Sequence, residues 1–342
     1  MDRMIVVRIV MVILLGCLWL GSATESDAQS IEVKMAHFMA PIHVQHQKSF
    51  VPFAEKVNSL SGGQVKIRIY PGGALGGPTQ LPDAVKTGIT DIAFIIPSYT
   101  TARFPRTSAF DLPFLFDSGV HATKVFYDLY GKYLAEDYKD YKVLWLYSSG
   151  PGHLHSVTKR IHTLDDVQGM KMRTPSAYMT KALKLLGTNP VGMPISELTV
   201  ALQKKVVDGM LTPWSAVEDF KMWDLISYLT ELDMYISPMA VVMNKEKFDA
   251  LPESAKKAIE GASGKPWGLH AAKVYDEHDE NSIRKNQETK KIEVYKLPAF
   301  ERQKFMERVK TMEADWVAEV SKSGIPAKAI LDAVHGSAQK NR

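Results

Sequence analysis

One arginine in this chain stands where a charge is either left to solvent or aimed at something that enters a cleft. Arg173 closes the short apolar run of GMKMRTP and is followed by a Pro-Ser turn and an amphipathic stretch reaching residue 186. In open α/β sheets, ligands bind just beyond the carboxyl ends of the strands. A guanidinium there offers a planar fork that meets a carboxylate with two parallel hydrogen bonds, which lysine does less well. The ordinary fate of an arginine is a surface ion pair, but other strand ends point the same way. Phe38 follows IEVKMAHF, Ser98 and Tyr99 follow DIAFIIP, and Thr212 and Trp214 follow DGML. Each alone is more often core or loop. Together they supply the aromatic walls and hydroxyls of a small-molecule pocket.

Other groups that could do chemistry are less well placed. His43 and His46 are three apart, close enough for one helical face, and His153 and His155 in GPGHLHS share one face of a strand. Neither pair has a nearby third ligand, so no metal site is expected. His153 reads better as a loop histidine that donates a hydrogen bond into a pocket. The glycine-rich YPGGALGGPTQ lacks the P-loop lysine and does not fit GxGxxG, which leaves it a turn rather than a nucleotide cradle. There is no GxSxG elbow, no HExxH helix and no cysteine after Cys17. No cofactor is expected, and the balance shifts from enzyme towards binding protein.

Short β-rich runs alternate with helical patterns through most of the chain. Strands are expected over 31–38, 64–71, 91–97, 141–148, 170–175, 209–213 and 237–244, and helices over 45–60, 80–87, 120–136, 177–186, 196–206 and 216–229, with Ser196 as an N-cap. Such alternation predicts an α/β protein with βαβ units and mostly parallel sheets. From residue 253 the pattern is almost purely helical, and a long helix with a polar face can bridge two lobes.

The first 28 residues are set apart from the fold. Arg3 and Arg8, the apolar run Ile9 to Leu20 and the small-x-small Ser26-Asp27-Ala28 read as a secretory signal peptide, with the mature chain starting near Gln29. A lipobox ending at Cys17 is the competing reading, although Leu18-Trp19-Leu20 continues the apolar run. No later run reaches the roughly 18 apolar residues of a membrane helix, so the mature chain is not expected to span a membrane. Without Cys17 no disulfide can form, and packing must hold the fold. The segment 1–28 holds two of 42 basic and three of 38 acidic residues, so the remainder carries 40 against 35, or +5. That mild charge, with no polybasic block, gives no support to nucleic-acid binding.

In their order and spacing, SGGQVKIRIYPGGALGG, AVKTGITDIAF, FDLPFLF, TLDDVQGMKMRTP, PVGMPISELTVALQKKVVDGM and VVMNKEKFDALP resemble the solute-binding subunits of tripartite ATP-independent periplasmic (TRAP) transporters, the DctP-type family. The resemblance covers essentially the whole mature length. It implies a two-lobed periplasmic-binding-protein clamshell with mixed sheets, hinge strands and a long interlobe helix. On that fold, 29–149 plus 238–277 form lobe I and 150–237 plus 278–342 form lobe II. It implies that Arg173 clamps a ligand carboxylate, that the partners are a small and a large membrane subunit with no ATPase, and that the chain is a periplasmic receptor rather than an enzyme.

Two departures bear on the ligand. The position following VDG is often asparagine in sialic-acid and dicarboxylate binders of the family, whereas this chain has Thr212, with Trp214 two residues on. Sialic-acid-type members carry a second arginine after the LWLY-like strand, whereas SSGPGHLHS has none. One buried arginine balances one carboxylate, and a second would be left unpaired at a cost of several kcal/mol. A monocarboxylate is therefore expected, with Phe38, Tyr99, Ile195 and Trp214 as walls suited to an aryl or 2-oxo acid, and His153 able to serve a further polar group. A C4-dicarboxylate or other acid receptor, and a sensor or ABC-type binding protein on the same fold, remain as alternatives.

Overall fold

The computed structural model describes residues 30–342. The signal-peptide and lipobox readings, Cys17 included, lie outside the described residues. Eleven strands run in chain order: β1 Ile31–Ala36, β2 Val65–Tyr70, β3 Ile92–Ile95, β4 Tyr141–Ser148, β5 Gly152–Ser156, β6 Lys171–Thr174, β7 Asn189–Gly192, β8 Gly209–Thr212, β9 Tyr228–Tyr235, β10 Pro238–Asn244 and β11 Glu293–Lys296. They form two sheets, ordered β2-β1-β3-β10-β4 and β11-β9-β5-β8-β6-β7. Each sheet organises one lobe of an α/β protein.

The sheets are mixed rather than mostly parallel, because the chain changes lobe twice between consecutive strands. β4 leaves the first sheet and β5 begins the second, and β9 returns through β10, which lies antiparallel to both β3 and β4. Every residue of β10 is buried, as befits a central strand covered on both faces. The two crossings are tied together. The Ser149 amide donates to the Ser237 carbonyl at 3.1 Å, and the Ser237 amide donates to Ser149 Oγ at 3.0 Å.

A third crossing is the helix Gly264–Thr289, which packs on β4 and the helix Gly119–Leu129 of the first lobe and on the helix Trp214–Asp219 of the second. Gly268 lets it sit directly on the sheet, since a Cβ there would lie 2.3 Å from the Leu146 carbonyl oxygen. The last helix, Ala327–Asn341, packs on Gly119–Leu129 of the first lobe, where His121 Nε2 is 2.8 Å from the Ala338 carbonyl oxygen.

Two local expectations differ from the structure. The helix expected over 216–229 ends at Asp219, Lys221 has a φ of +55°, and β9 begins at Tyr228. Ser196 is not the cap of its helix, which runs Ile195–Gln203 after Pro194. Instead, the first amide of that helix, Ile195 N, donates to the Tyr99 hydroxyl at 3.0 Å, so the cap comes from the opposite lobe.

Candidate ligand-binding site

Arg173 is placed from both sides. β6 pairs in parallel with β7 and β8, setting Arg173 opposite Val191 and Met210. The turn that follows is fixed by Ser176, whose hydroxyl accepts the Met179 amide at 3.1 Å and caps the helix Ala177–Leu185. The arginine is 1% exposed. Its Nε donates to the Met193 carbonyl and its Nη1 to the Leu211 carbonyl, each at 3.1 Å. These two bonds lock the guanidinium plane and leave further donors of the five uncommitted. Among the described residues no carboxylate forms an ion pair with it. Burial pushes the Tyr99 phenol above its ordinary range, and the neighbouring guanidinium draws it partly back. Tyr235 is pushed up to about 12, again by burial first and with Arg173 opposing.

A cavity lies between the lobes against this group. Phe38, Tyr99, Arg173, Ile195 and Thr212 all line it. Phe38 packs on Phe94 and Tyr99 with ring centroids 5.5 and 6.4 Å apart, giving one aromatic wall. Ile195, Phe220 and Tyr235 belong to the second lobe, and Tyr275 reaches in from the helix Gly264–Thr289. The bare Cα of Gly152 makes room for Tyr235, because a Cβ there would fall 2.0 Å from the Tyr235 ring.

Three of the residues expected at the site do not line this cavity. The Ser98 hydroxyl turns away to donate to Asp111 Oδ1 at 2.6 Å. That carboxyl is pushed up to about 7 by burial, with the Ser98 bond opposing. Trp214 is core, 1% exposed, edge-on to His155 and close to Trp223. His153 lies inside β5 rather than in a loop. Its Nδ1 accepts from the Leu232 amide at 3.4 Å and faces Asp233 Oδ1 at 3.6 Å, so this nitrogen accepts where a donor was expected.

The two histidine pairs do not converge on a common point. His46 Nδ1 is 2.9 Å from His37 Nε2, whereas His43 Nε2 lies 3.3 Å from Asp219 Oδ2. Among the described residues no cluster of side chains could hold a metal ion.

Several lining groups had no clear signature in the sequence. His43 stood out only as half of a candidate metal pair. Ser149 and Ser237 belong to the crossings, and Tyr275 to a helix whose outline alone was apparent. Tyr235 ends a strand whose alternation over Glu231, Leu232, Asp233 and Met234 could have revealed it.

A buried, locked arginine facing an aromatic cavity between two crossing lobes is the geometry of a solute trap, and comparison with known proteins agrees. The family model for DctP, bacterial extracellular solute-binding protein family 7, matches residues 35–319. The chain belongs to this family. A solute-binding protein of Verminephrobacter eiseniae is 30% identical over 234 residues, 68% of this chain and 70% of that one. Among solved structures, a TRAP solute-binding protein from Rhodoferax ferrireducens in complex with copurified benzoate is 32% identical with a TM-score of 0.88, covering 91% of this chain and 98% of that one. A marine-metagenome TRAP solute-binding protein specific for aromatic acid ligands, in complex with metahydroxyphenylacetate, is likewise 32% identical with a TM-score of 0.87, covering 91% and 99%. Among the described residues of this DctP-family chain, no helix is long and apolar enough to cross a membrane.

Proposed function

We propose that this protein is a periplasmic receptor that captures an aromatic monocarboxylate and delivers it to a separate TRAP membrane permease built from a small and a large subunit. The observation that carries the reading is Arg173, a buried guanidinium fixed by two backbone carbonyls, with no acidic side chain paired to it, at the wall of an aromatic-lined cavity. A carboxylate entering there supplies the missing counter-charge through charge-assisted bonds. Benzoate and metahydroxyphenylacetate in the two structural relatives support an aryl group over an aliphatic one. Among the described residues no lysine and no second arginine lines the cavity, so a dicarboxylate would bring in one charge without a partner.

The receptor works by closure, not turnover. Acid bound on one lobe favours the state in which Tyr99 of the first lobe caps Ile195 of the second, and the ligand's differential affinity for that state drives the motion. Titration calorimetry with benzoate, 3-hydroxybenzoate and succinate on native protein and Arg173→Ala tests the reading. Aromatic acids are expected to bind the native protein and not the variant. Binding of succinate in preference, or unchanged affinity in Arg173→Ala, would refute it. Incubation with the bound acid followed by mass spectrometry should return it unaltered.

A further inference from the structure

The cavity contains a second charged side chain, which the carboxylate clamp does not use. Asp219 ends the helix Trp214–Asp219, lines the cavity and is 9% exposed, and no ion pair joins it to Arg173. Its Oδ1 accepts the Val44 amide at 3.1 Å and lies 3.2 Å from His278 Nε2. Its Oδ2 is buried with no hydrogen-bond partner among the described residues.

His43 does not fill that role. Its Nδ1 accepts the Gln45 amide at 3.1 Å, which places the ring proton on Nε2. Nε2 is 3.3 Å from Oδ2 yet not aligned as a hydrogen bond. Burial holds the ring's pKa down at about 4, against the pull of Asp219, so it brings no positive charge to the carboxylate at neutral pH. A residue that lines the cavity therefore keeps acceptor capacity on one carboxylate oxygen, and a buried acceptor without a donor is costly.

Building on the aromatic-acid reading above, we propose that Asp219 sets the specificity of the cavity: the preferred ligand is a monocarboxylate that also carries a hydroxyl, whose proton is donated to Asp219 Oδ2. The same oxygen rejects a ligand that brings a second carboxylate to that place, through like-charge repulsion at low dielectric. Arg173 thus reads the acid group and Asp219 reads what the remainder of the ring carries. A site built to hydrogen-bond a ligand hydroxyl discriminates strongly against the analogue that lacks it, because its own polar group is then left unpaired.

The test is calorimetry with benzoate, 3-hydroxybenzoate, 4-hydroxybenzoate and isophthalate on native protein, Asp219→Asn and Asp219→Ala. The readout is the ratio of affinities, hydroxybenzoate over benzoate. Asp219 also holds the Val44 amide of the opposite lobe, so its loss changes the ease of closure. That change is common to all the ligands and cancels in the ratio. At least one hydroxybenzoate is expected to bind native protein about tenfold or more tightly than benzoate, the scale of a hydrogen bond to a charged acceptor. Isophthalate is expected not to bind. In Asp219→Ala the ratio should fall to within about threefold, and Asp219→Asn should admit isophthalate, having lost the repelling charge. Equal affinity of native protein for benzoate and both hydroxybenzoates overturns the proposal while leaving the aromatic-acid receptor intact, as does a ratio that survives in both variants. Should native protein bind none of the aromatic acids, the receptor reading falls and this inference with it. The native ratio requires no variant, so poor folding of Asp219→Ala does not remove the test.

Discussion

Asp276 and Asp279, one helical turn apart on the helix Gly264–Thr289, accept backbone amides from opposite lobes. Asp276 takes the Gly119 and Val120 amides at 2.8 and 2.9 Å, at the start of a first-lobe helix. Asp279 takes the Ser215 amide at the start of the helix Trp214–Asp219 in the second lobe. One rigid rod therefore caps a helix in each lobe, and both ends answer to its position.

Asp279 also makes stability depend on pH. Burial raises its carboxyl from 3.8 to about 7, with the Ser215 bonds opposing. Between those values the folded protein holds more protons than the unfolded chain, so this contribution is fully present below about 3.8 and is lost as pH rises through about 7. Asp279→Asn keeps an acceptor for Ser215 and removes the titration. Thermal melts from pH 4 to 8 are expected to show a flatter profile in the variant than in native protein. Identical slopes would show that the carboxyl is not shifted.

Arg173 should govern affinity far more than stability. In Arg173→Met a buried charge disappears, which stabilises the ligand-free protein, while the Met193 and Leu211 carbonyls lose their donor, at about 1–3 kcal/mol each. These effects oppose, and the ligand-free Tm is expected to move by less than about 5 °C. Affinity for an aromatic acid should fall by about 100-fold or more, the scale of a bidentate charged pair. A large drop in Tm would assign the arginine to the core instead.

Tyr99→Phe removes the hydroxyl that accepts the Ile195 amide across the cleft. The lost bond disfavours the closed state by about 1 kcal/mol, so Kd should rise by roughly fivefold. Stopped-flow binding is expected to show most of that change in the dissociation rate.

Gly268→Ala is expected to destabilise the whole chain. Its methyl group would meet the Leu146 carbonyl oxygen at 2.3 Å and the Tyr127 hydroxyl at 2.8 Å, forcing the helix off β4. Denaturant melts should register a loss of about 1–3 kcal/mol, typical of overpacking. Unchanged stability would mean the contact relaxes without strain.

The local pattern of the chain was informative where one signal dominated. β4 and β10 are largely apolar runs and β1 alternates Ile31, Val33 and Met35 with Glu32 and Lys34, and the structure places all three within two residues of their expected limits. β9 was hidden because Trp214 to Ile226 carries apolar residues at helical spacing, and the reversal at Lys221 depends on tertiary packing rather than on glycine or proline. Of the residues read from strand ends, Phe38, Tyr99 and Thr212 line the cavity, since a strand end fixes where a side chain lies. Trp214 and Ser98 do not line it, because position along a strand does not determine whether the next residues turn inward to the cavity or back into the lobe. Asp219 was out of reach, as its partners Val44 and His278 stand 175 and 59 residues away.

The return of the helix Ala327–Asn341 to the lobe begun by β1 orders events in time. Its contact with Gly119–Leu129 joins His121 to Ala338, 217 residues further along the chain, so a nascent polypeptide cannot complete the lobe begun by β1 until this helix has emerged. Deleting that one helix should therefore damage the half of the molecule made first, leaving apolar surface open to aggregation, while the half that holds Arg173 keeps its own sheet.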